Sequence, residues 1–165
     1  MDLSQRRGRC SRTPTLPSVW HVVVVREGYR TEVKAPKRIL VVDDEDRVLM
    51  VLREGLAMLG EGYEIATAQN GLEALRKIED GAFDVLITDL RMAGMDGEEL
   101  TEAVKAWDPA IQTIWITAYN CHEVRADAER LSVHRCLDKP VDIEEIRAVV
   151  LEALEKRQGD PPSGT

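Results

Sequence analysis

Five side chains in this sequence would do chemistry if the fold brought them together: Asp43, Asp44, Asp89, Thr117 and Lys139. Each falls at the carboxyl end of a short β-prone run. Three carboxylates gathered within several ångström repel one another, and at least one takes up a proton unless a cation removes that cost. An oxygen-only donor set suits Mg2+, which keeps several waters and uses one or two carboxylates. Lys139 adds a fixed positive charge that pairs with an anion, and Thr117 adds a hydroxyl donor. A metal, an ammonium, a hydroxyl and a carboxylate are the parts of a phosphoryl-transfer site, with Asp89 as the nucleophile. Such transfer is mostly positioning plus charge stabilisation. Any one Asp behind a strand is ordinarily a turn former or helix cap, so the inference rests on the conjunction: four of five strand ends carry the needed groups.

The elements that must position these groups alternate along residues 37–157. The run Ile39-Leu-Val-Val42 is apolar and β-branched, as a strand buried on both faces should be. Val48, Leu52, Leu56 and Leu59 recur at helical spacing, and Gly60 and Gly62 supply a stop. Residues 64–68 read as a second strand. Asn70-Gly71 starts a second helix, with Leu72, Leu75 and Ile78 as its inward face. Residues 85–88 form a third strand, and 94–97 a loop. Leu100, Val104 and Trp107 mark a third helix, closed before Pro109. Residues 111–116 are a fourth strand, Val124, Ala128 and Leu131 mark a fourth helix, and 134–137 are a weaker fifth strand. Ile143, Ile146, Val150 and Leu154 give the last helix. Five strands alternating with five helices predict an α/β fold, a parallel sheet with helices on both faces. Right-handed crossovers leave the flavodoxin-like order 2-1-3-4-5 as the common solution. In that order the first and third strands are neighbours, and the ligand crevice lies beyond their carboxyl ends.

The same stretches resemble the receiver domain of bacterial two-component response regulators. The resemblance is carried by Ile39-Leu-Val-Val-Asp-Asp-Glu45, Ala68-Gln-Asn-Gly-Leu-Glu-Ala-Leu75, Asp84-Val-Leu-Ile-Thr-Asp-Leu-Arg-Met92, Gly94-Met-Asp-Gly97, Thr117-Ala118 and Asp138-Lys-Pro140. It implies that Asp89 is a phosphoacceptor served by a sensor histidine kinase or a phosphotransfer protein. It implies Asp44 as the main carboxylate ligand of Mg2+, Asp43 as its partner, and Asp89 and the backbone carbonyl of Arg91 as the rest of the metal site. Thr117 matches the switch hydroxyl, and Lys139 the lysine that pairs with the phosphoryl group, before a proline bond that is usually cis. Three positions depart from the family pattern. Met92 is followed by Ala93 rather than Pro, Cys136 stands where a switch aromatic is usual, and Ser132-Val133 replaces a Gly-Ala pair. Tyr119, two residues past Thr117, is a loop aromatic that could join the switch. Cys136 reads as a small buried filler, and His122 and His134 as surface positions.

Charge and composition bound the rest. Residues 1–36 hold seven basic and three acidic residues, a sum of +4, which leaves −12 for the remainder of a chain at −8. A domain so acidic is a poor match for a nucleic-acid backbone, so no direct nucleic-acid binding is expected. Cys10, Cys121 and Cys136 are far apart with no C-x-x-C, which argues against a secreted disulfide scaffold. No apolar run approaches the roughly 18 residues of a membrane span. The apolar stretch after Arg6-Arg7 is too short for a signal peptide. A cytoplasmic location is therefore the expectation.

The segments divide as a basic, disordered 1–36 extension, a receiver-like 37–157 and a disordered 158–165 tail. Val19 to Val25 is β-prone without an obvious partner, and residues 28–36 are linker-like. The expected function is a stand-alone, phosphorylation-switched module that signals to a downstream protein and catalyses only its own phosphorylation. Two alternatives differ in class. One is a phosphorylation-independent adaptor. The other is an Asp-nucleophile phosphohydrolase, whose usual second Asp two residues past the nucleophile is Arg91 here.

Overall fold

A computed structural model describes residues 21–26 and 29–159 of the chain, with side chains from 35 to 157. The expectations of disorder for residues 1–18 and beyond 159 lie outside the described residues. The chain divides into two units, Met1–Ala35 and Pro36–Thr165. In the first, β1 (His21–Arg26) pairs antiparallel with β2 (Tyr29–Lys34), from His21 opposite Lys34 to Arg26 opposite Tyr29. This corrects the linker-like reading of 29–34 and supplies the partner that the valine run lacked. Tyr29, Thr31 and Val33 alternate with Arg30, Glu32 and Lys34, the period of two that a strand requires.

The second unit runs β3 (Lys37–Val42), α1 (Asp46–Ala57), β4 (Tyr63–Ala68), α2 (Gly71–Asp80), β5 (Val85–Asp89), α3 (Gly97–Trp107), β6 (Gln112–Thr117), α4 (Arg125–Arg130), β7 (Arg135–Asp138) and α5 (Ile143–Gly159). Its sheet has the order β4-β3-β5-β6-β7, with every pairing parallel. Counted within this unit the order is 2-1-3-4-5, the flavodoxin-like arrangement expected. The final helix reaches Gly159, so residues 158 and 159 are helical rather than tail.

The central strands are apolar throughout because both faces are covered. Ile39, Val41, Ile87 and Ile114 pack with Leu52 and Leu56 of α1 and with Ile146 and Val150 of α5. Leu40, Val42 and Leu86, from the opposite face, pack with Ala74 and Ile78 of α2 and with Leu100 and Val104 of α3. A smaller cluster of Leu90, Trp115 and Leu131 lies towards β7.

Helix starts are chemically specified. The Asn70 side chain accepts from the Glu73 amide at 2.9 Å, and Asp96 forms a capping box with Glu99.

Two helix faces differ from the periodicity reading, and a third helix is shorter than its flanking apolar residues suggest. Leu72 is 59% exposed, because the stripe is Gly71, Ala74 and Ile78; six residues from Ile78 is about 240° further around the helix at roughly 100° per residue. Trp107 is 62% exposed at the last residue of α3, and Ile111 returns to fill that layer instead. Helix α4 is only six residues long and buries none of them. Val124, Ala128 and Leu131, which mark it in the sequence, do pack on the Trp115 cluster, but Val124 and Leu131 do so as its two caps.

Candidate functional site at the carboxyl ends of the central strands

The parallel register sets Val42 of β3 level with Ala68 of β4 and Thr88 of β5, so Asp43 and Asp89 emerge side by side. Carboxylate oxygens of Asp43, Asp44 and Asp89 all lie within 4.8 Å of one another. Asp43 is 2% and Asp89 8% exposed, while Asp44 is open to solvent. Lys139, just past β7, reaches between the two buried carboxylates. Its Nζ donates to Asp43 Oδ2 at 3.1 Å and to Asp89 Oδ2 at 3.0 Å. The second oxygens are held by main-chain amides: Glu45 N donates to Asp43 Oδ1 at 2.9 Å, and Arg91 N to Asp89 Oδ1 at 3.2 Å.

Burial pushes the Asp43 carboxyl above its ordinary value; the Glu45 amide and Lys139 oppose that shift, and Asp89 adds to it. Burial alone would lower Lys139, but its bonds to Asp89 and Asp43 outweigh that and hold the ammonium above its ordinary value. Three carboxylates against one ammonium leave a formal −2 at the site, which one divalent cation cancels. The donors are all oxygen, two of the carboxylates are desolvated and the third is open, so the residues present fit Mg2+.

Thr117 closes β6 and is fully buried. Its Oγ1 accepts from the Tyr119 amide at 3.0 Å, and its carbonyl accepts from the Lys139 amide at 2.7 Å. The threonine is thereby tied to the lysine through the backbone. The Lys139–Pro140 peptide is cis. The Arg91 guanidinium lies 5.0 Å from the centre of the Tyr119 ring. For Arg91 itself, the contact to Asp89 is made by its amide nitrogen. All five side chains singled out in the sequence therefore sit on one end of the sheet.

Other features were not anticipated. A Cβ at Gly97 would stand 2.1 Å from the Asp89 carbonyl oxygen, so α3 starts against the main chain of the acidic residue only because position 97 has no side chain. Trp115 Nε1 donates to Thr101 Oγ1 at 2.8 Å, and Thr101 donates to the Gly97 carbonyl at 2.7 Å. This relay anchors the same helix start to β6. The Gly94-Met-Asp-Gly97 run marked a loop but did not reveal this close approach. Cys121 and Cys136 are joined as a disulfide, with Cα atoms 5.8 Å apart. That corrects the reading of Cys136 as a buried filler, since both cysteines are half-buried. His134 is not a surface residue either. It is mostly covered, with 11% of its side chain exposed.

The fold and this acidic pocket place the unit among receiver-type α/β proteins. The family model for the response regulator receiver domain matches residues 39–151, and the chain belongs to that family. It is 37% identical over 116 residues to the transcriptional regulatory protein ZraR of Klebsiella oxytoca, covering 70% of this chain and 26% of ZraR. It is 35% identical over 120 residues to the DNA-binding transcriptional regulator NtrC of Escherichia coli, covering 73% and 25% respectively. The chain thus spans about a quarter of the length of these curated relatives, and their names lend no support to the expectation that it avoids nucleic acid.

Among solved structures, a CheY-like receiver domain from Methanospirillum hungatei superposes with a TM-score of 0.71 at 28% identity, covering 75% of this chain and 98% of that one. The response regulator TrrA of Thermotoga maritima, solved in complex with Mg(2+)-BeF, gives 0.64 at 36% identity, with 72% and 99% covered. Among the described residues no helix is long and apolar enough to cross a membrane.

Proposed function

We propose that this chain is a phosphorylation-switched signalling module in which Asp89 accepts a phosphoryl group from a phosphohistidine of a sensor kinase or phosphotransfer protein. The observation that carries this reading is the Lys139 ammonium set between Asp43 and Asp89 within a three-carboxylate pocket. The reaction forms a bond from Asp89 Oδ to phosphorus and breaks the phosphorus–nitrogen bond. The released imidazole leaves as a neutral or protonated base. Lys139 pairs with the transferred oxygens. Asp43, Asp44 and Asp89, with the Arg91 carbonyl, would hold Mg2+, which supplies positive charge against the phosphoryl oxygens.

Thr117 is the hydroxyl that would follow the phosphoryl group, exchanging its present contact with the Tyr119 amide for one to phosphate. A group that binds the moved state better than the resting one shifts the population between them. The segment following Thr117 would carry that shift to α4, β7 and α5, and output would pass through protein contact there. The phosphodonor protein has an apolar surface to dock on: a groove lined by Val48, Val51, Pro140 and Val141 opens beside Lys139, with Val51 52% exposed. In this reading the protein catalyses only the gain and loss of its own phosphoryl group.

Incubation with Mg2+ and acetyl phosphate, followed by intact mass, tests the proposal. A single phosphoryl adduct that disappears with Mg2+ removal and in Asp89→Asn is expected. No adduct, or one that survives Asp89→Asn, overturns it. Turnover of a phosphate ester well beyond one equivalent would favour a phosphohydrolase instead.

A further inference from the structure

The bond between Cys121 and Cys136 is placed where it bears on the site without building the fold. Cys121 lies four residues past Thr117, and Cys136 lies in β7 directly opposite Trp115 of β6, three residues before Lys139. With Cα atoms 5.8 Å apart and a separation of 15 positions in sequence, the pair meets the spacing a disulfide requires. The loop it closes contains all of α4, its flanking Val124 and Leu131, and the turn that leads into β7.

That loop is held by few buried contacts, and its Arg130 pairs with Glu98 of α3 at 2.6 Å at the surface. Helix α4 buries no residue, and only its caps and Ala128 lean on the small cluster around Trp115. A hydrogen bond from the Cys121 amide to Asp138 Oδ1 at 2.8 Å is the other tie from this turn to β7. The two large cores of the sheet contain neither cysteine. Breaking the bond would therefore free the turn and α4 while leaving the sheet intact; segments with few buried contacts are those that open first. Both cysteines are half-buried rather than sealed in a core. Where thiols are kept reduced, a disulfide of this kind is transient and regulatory rather than structural.

We propose that Cys121 and Cys136 are a reversible thiol-modification site, oxidised by small disulfides of the glutathione class, and that oxidation clamps the turn after Thr117 and α4 to β7. The chemistry balances as a thiol–disulfide exchange. One cysteine thiolate attacks the small disulfide, breaking its sulfur–sulfur bond and releasing one small thiol. The second cysteine then attacks the mixed disulfide and releases the other. Two protein thiols are oxidised, one small disulfide is reduced, and the two protons pass to the departing thiols. The consequence for signalling rests on the phosphorylation reading: the clamped form resists the movement that a phosphoryl group on Asp89 would drive through Thr117.

The test uses the full chain with Cys10→Ser, which leaves only this pair. Intact mass after iodoacetamide should show two alkylated thiols in protein treated with dithiothreitol and none after oxidised glutathione, reversibly and without unfolding. Amide hydrogen exchange in residues 118–131 should quicken by roughly tenfold or more on reduction, in line with loss of a local anchor, and the sheet strands should not change. Addition of Mg2+ and acetyl phosphate should alter exchange in that segment in the reduced protein and much less in the oxidised one. The Cys121→Ser/Cys136→Ser variant should behave as the reduced protein under both treatments. Failure to form the bond, a bond that yields only on unfolding, or equal exchange in both redox states overturns the proposal. If Asp89 takes up no phosphoryl group in either state, the signalling consequence falls with the phosphorylation reading, while the alkylation and exchange results still decide the thiol site.

Discussion

Asp43 and Asp89 are buried side by side, and one ammonium is shared between them. A carboxylate cluster is an expensive way to end two core strands, since each charge has lost water and gained a like neighbour. Sites held for function are commonly destabilising in this way. Asp89→Asn should therefore raise stability without Mg2+ by about 0.5–2 kcal/mol, and should lose most of the Mg2+-induced rise in melting temperature seen in the parent. Thermal melts of both proteins with and without Mg2+ check this, and an equal Mg2+ response in both would contradict it.

A second residue-scale effect lies away from the site. Burial, then the positive charges of Lys156 and Arg135, hold the His134 imidazole below its ordinary value; Glu152 opposes them and Lys105 adds to them. Because the folded value is depressed, the unfolded chain binds more protons just below the ordinary value of about 6.5. Stability should thus rise with pH through that window and be lost as pH falls. His134→Gln should flatten the slope of denaturation midpoint against pH between 5 and 7; an unchanged slope would show that other groups govern it. The five side chains of the site were legible because residue type and position at a strand end suffice to find them. The Cys121–Cys136 pair and the cover over His134 were not, because both depend on how β6, β7 and α5 meet in space.

At the scale of elements, the hold on α3 shows what periodicity omits. Its first residue packs on the Asp89 carbonyl, and its second turn accepts the indole proton of a fully buried tryptophan. Thr101→Val keeps the shape but leaves Trp115 Nε1 buried without an acceptor, at a cost of about 1–3 kcal/mol. Urea denaturation should show a lower midpoint with an unchanged slope; a loss well under this range would mean the indole finds another acceptor. Apolar spacing found every strand and helix of the second unit, and it was wrong about Leu72 and Trp107, where the phase of a stripe or the end of a helix decides exposure. It also passed over β2, whose alternate Arg30, Glu32 and Lys34 dilute the apolar signal that Val22 to Val25 make obvious in β1.

At the scale of the molecule, the parallel order of the sheet turns scattered residues into one site. Positions 43, 89, 117 and 139 are separated by up to 96 residues, yet β3, β5, β6 and β7 are consecutive neighbours whose carboxyl ends face the same way. The chain's acidity thus has a local meaning: part of it is the pocket itself. The measurement that bears most directly on the central claim is chemical trapping of the phosphorylated residue. Protein treated with Mg2+ and acetyl phosphate is reduced with borohydride, which converts an aspartyl phosphate to homoserine, and is then mapped by peptide mass. The account predicts homoserine at position 89 and nowhere else. Homoserine at another aspartate, or none in protein that carries a phosphoryl adduct, would contradict it.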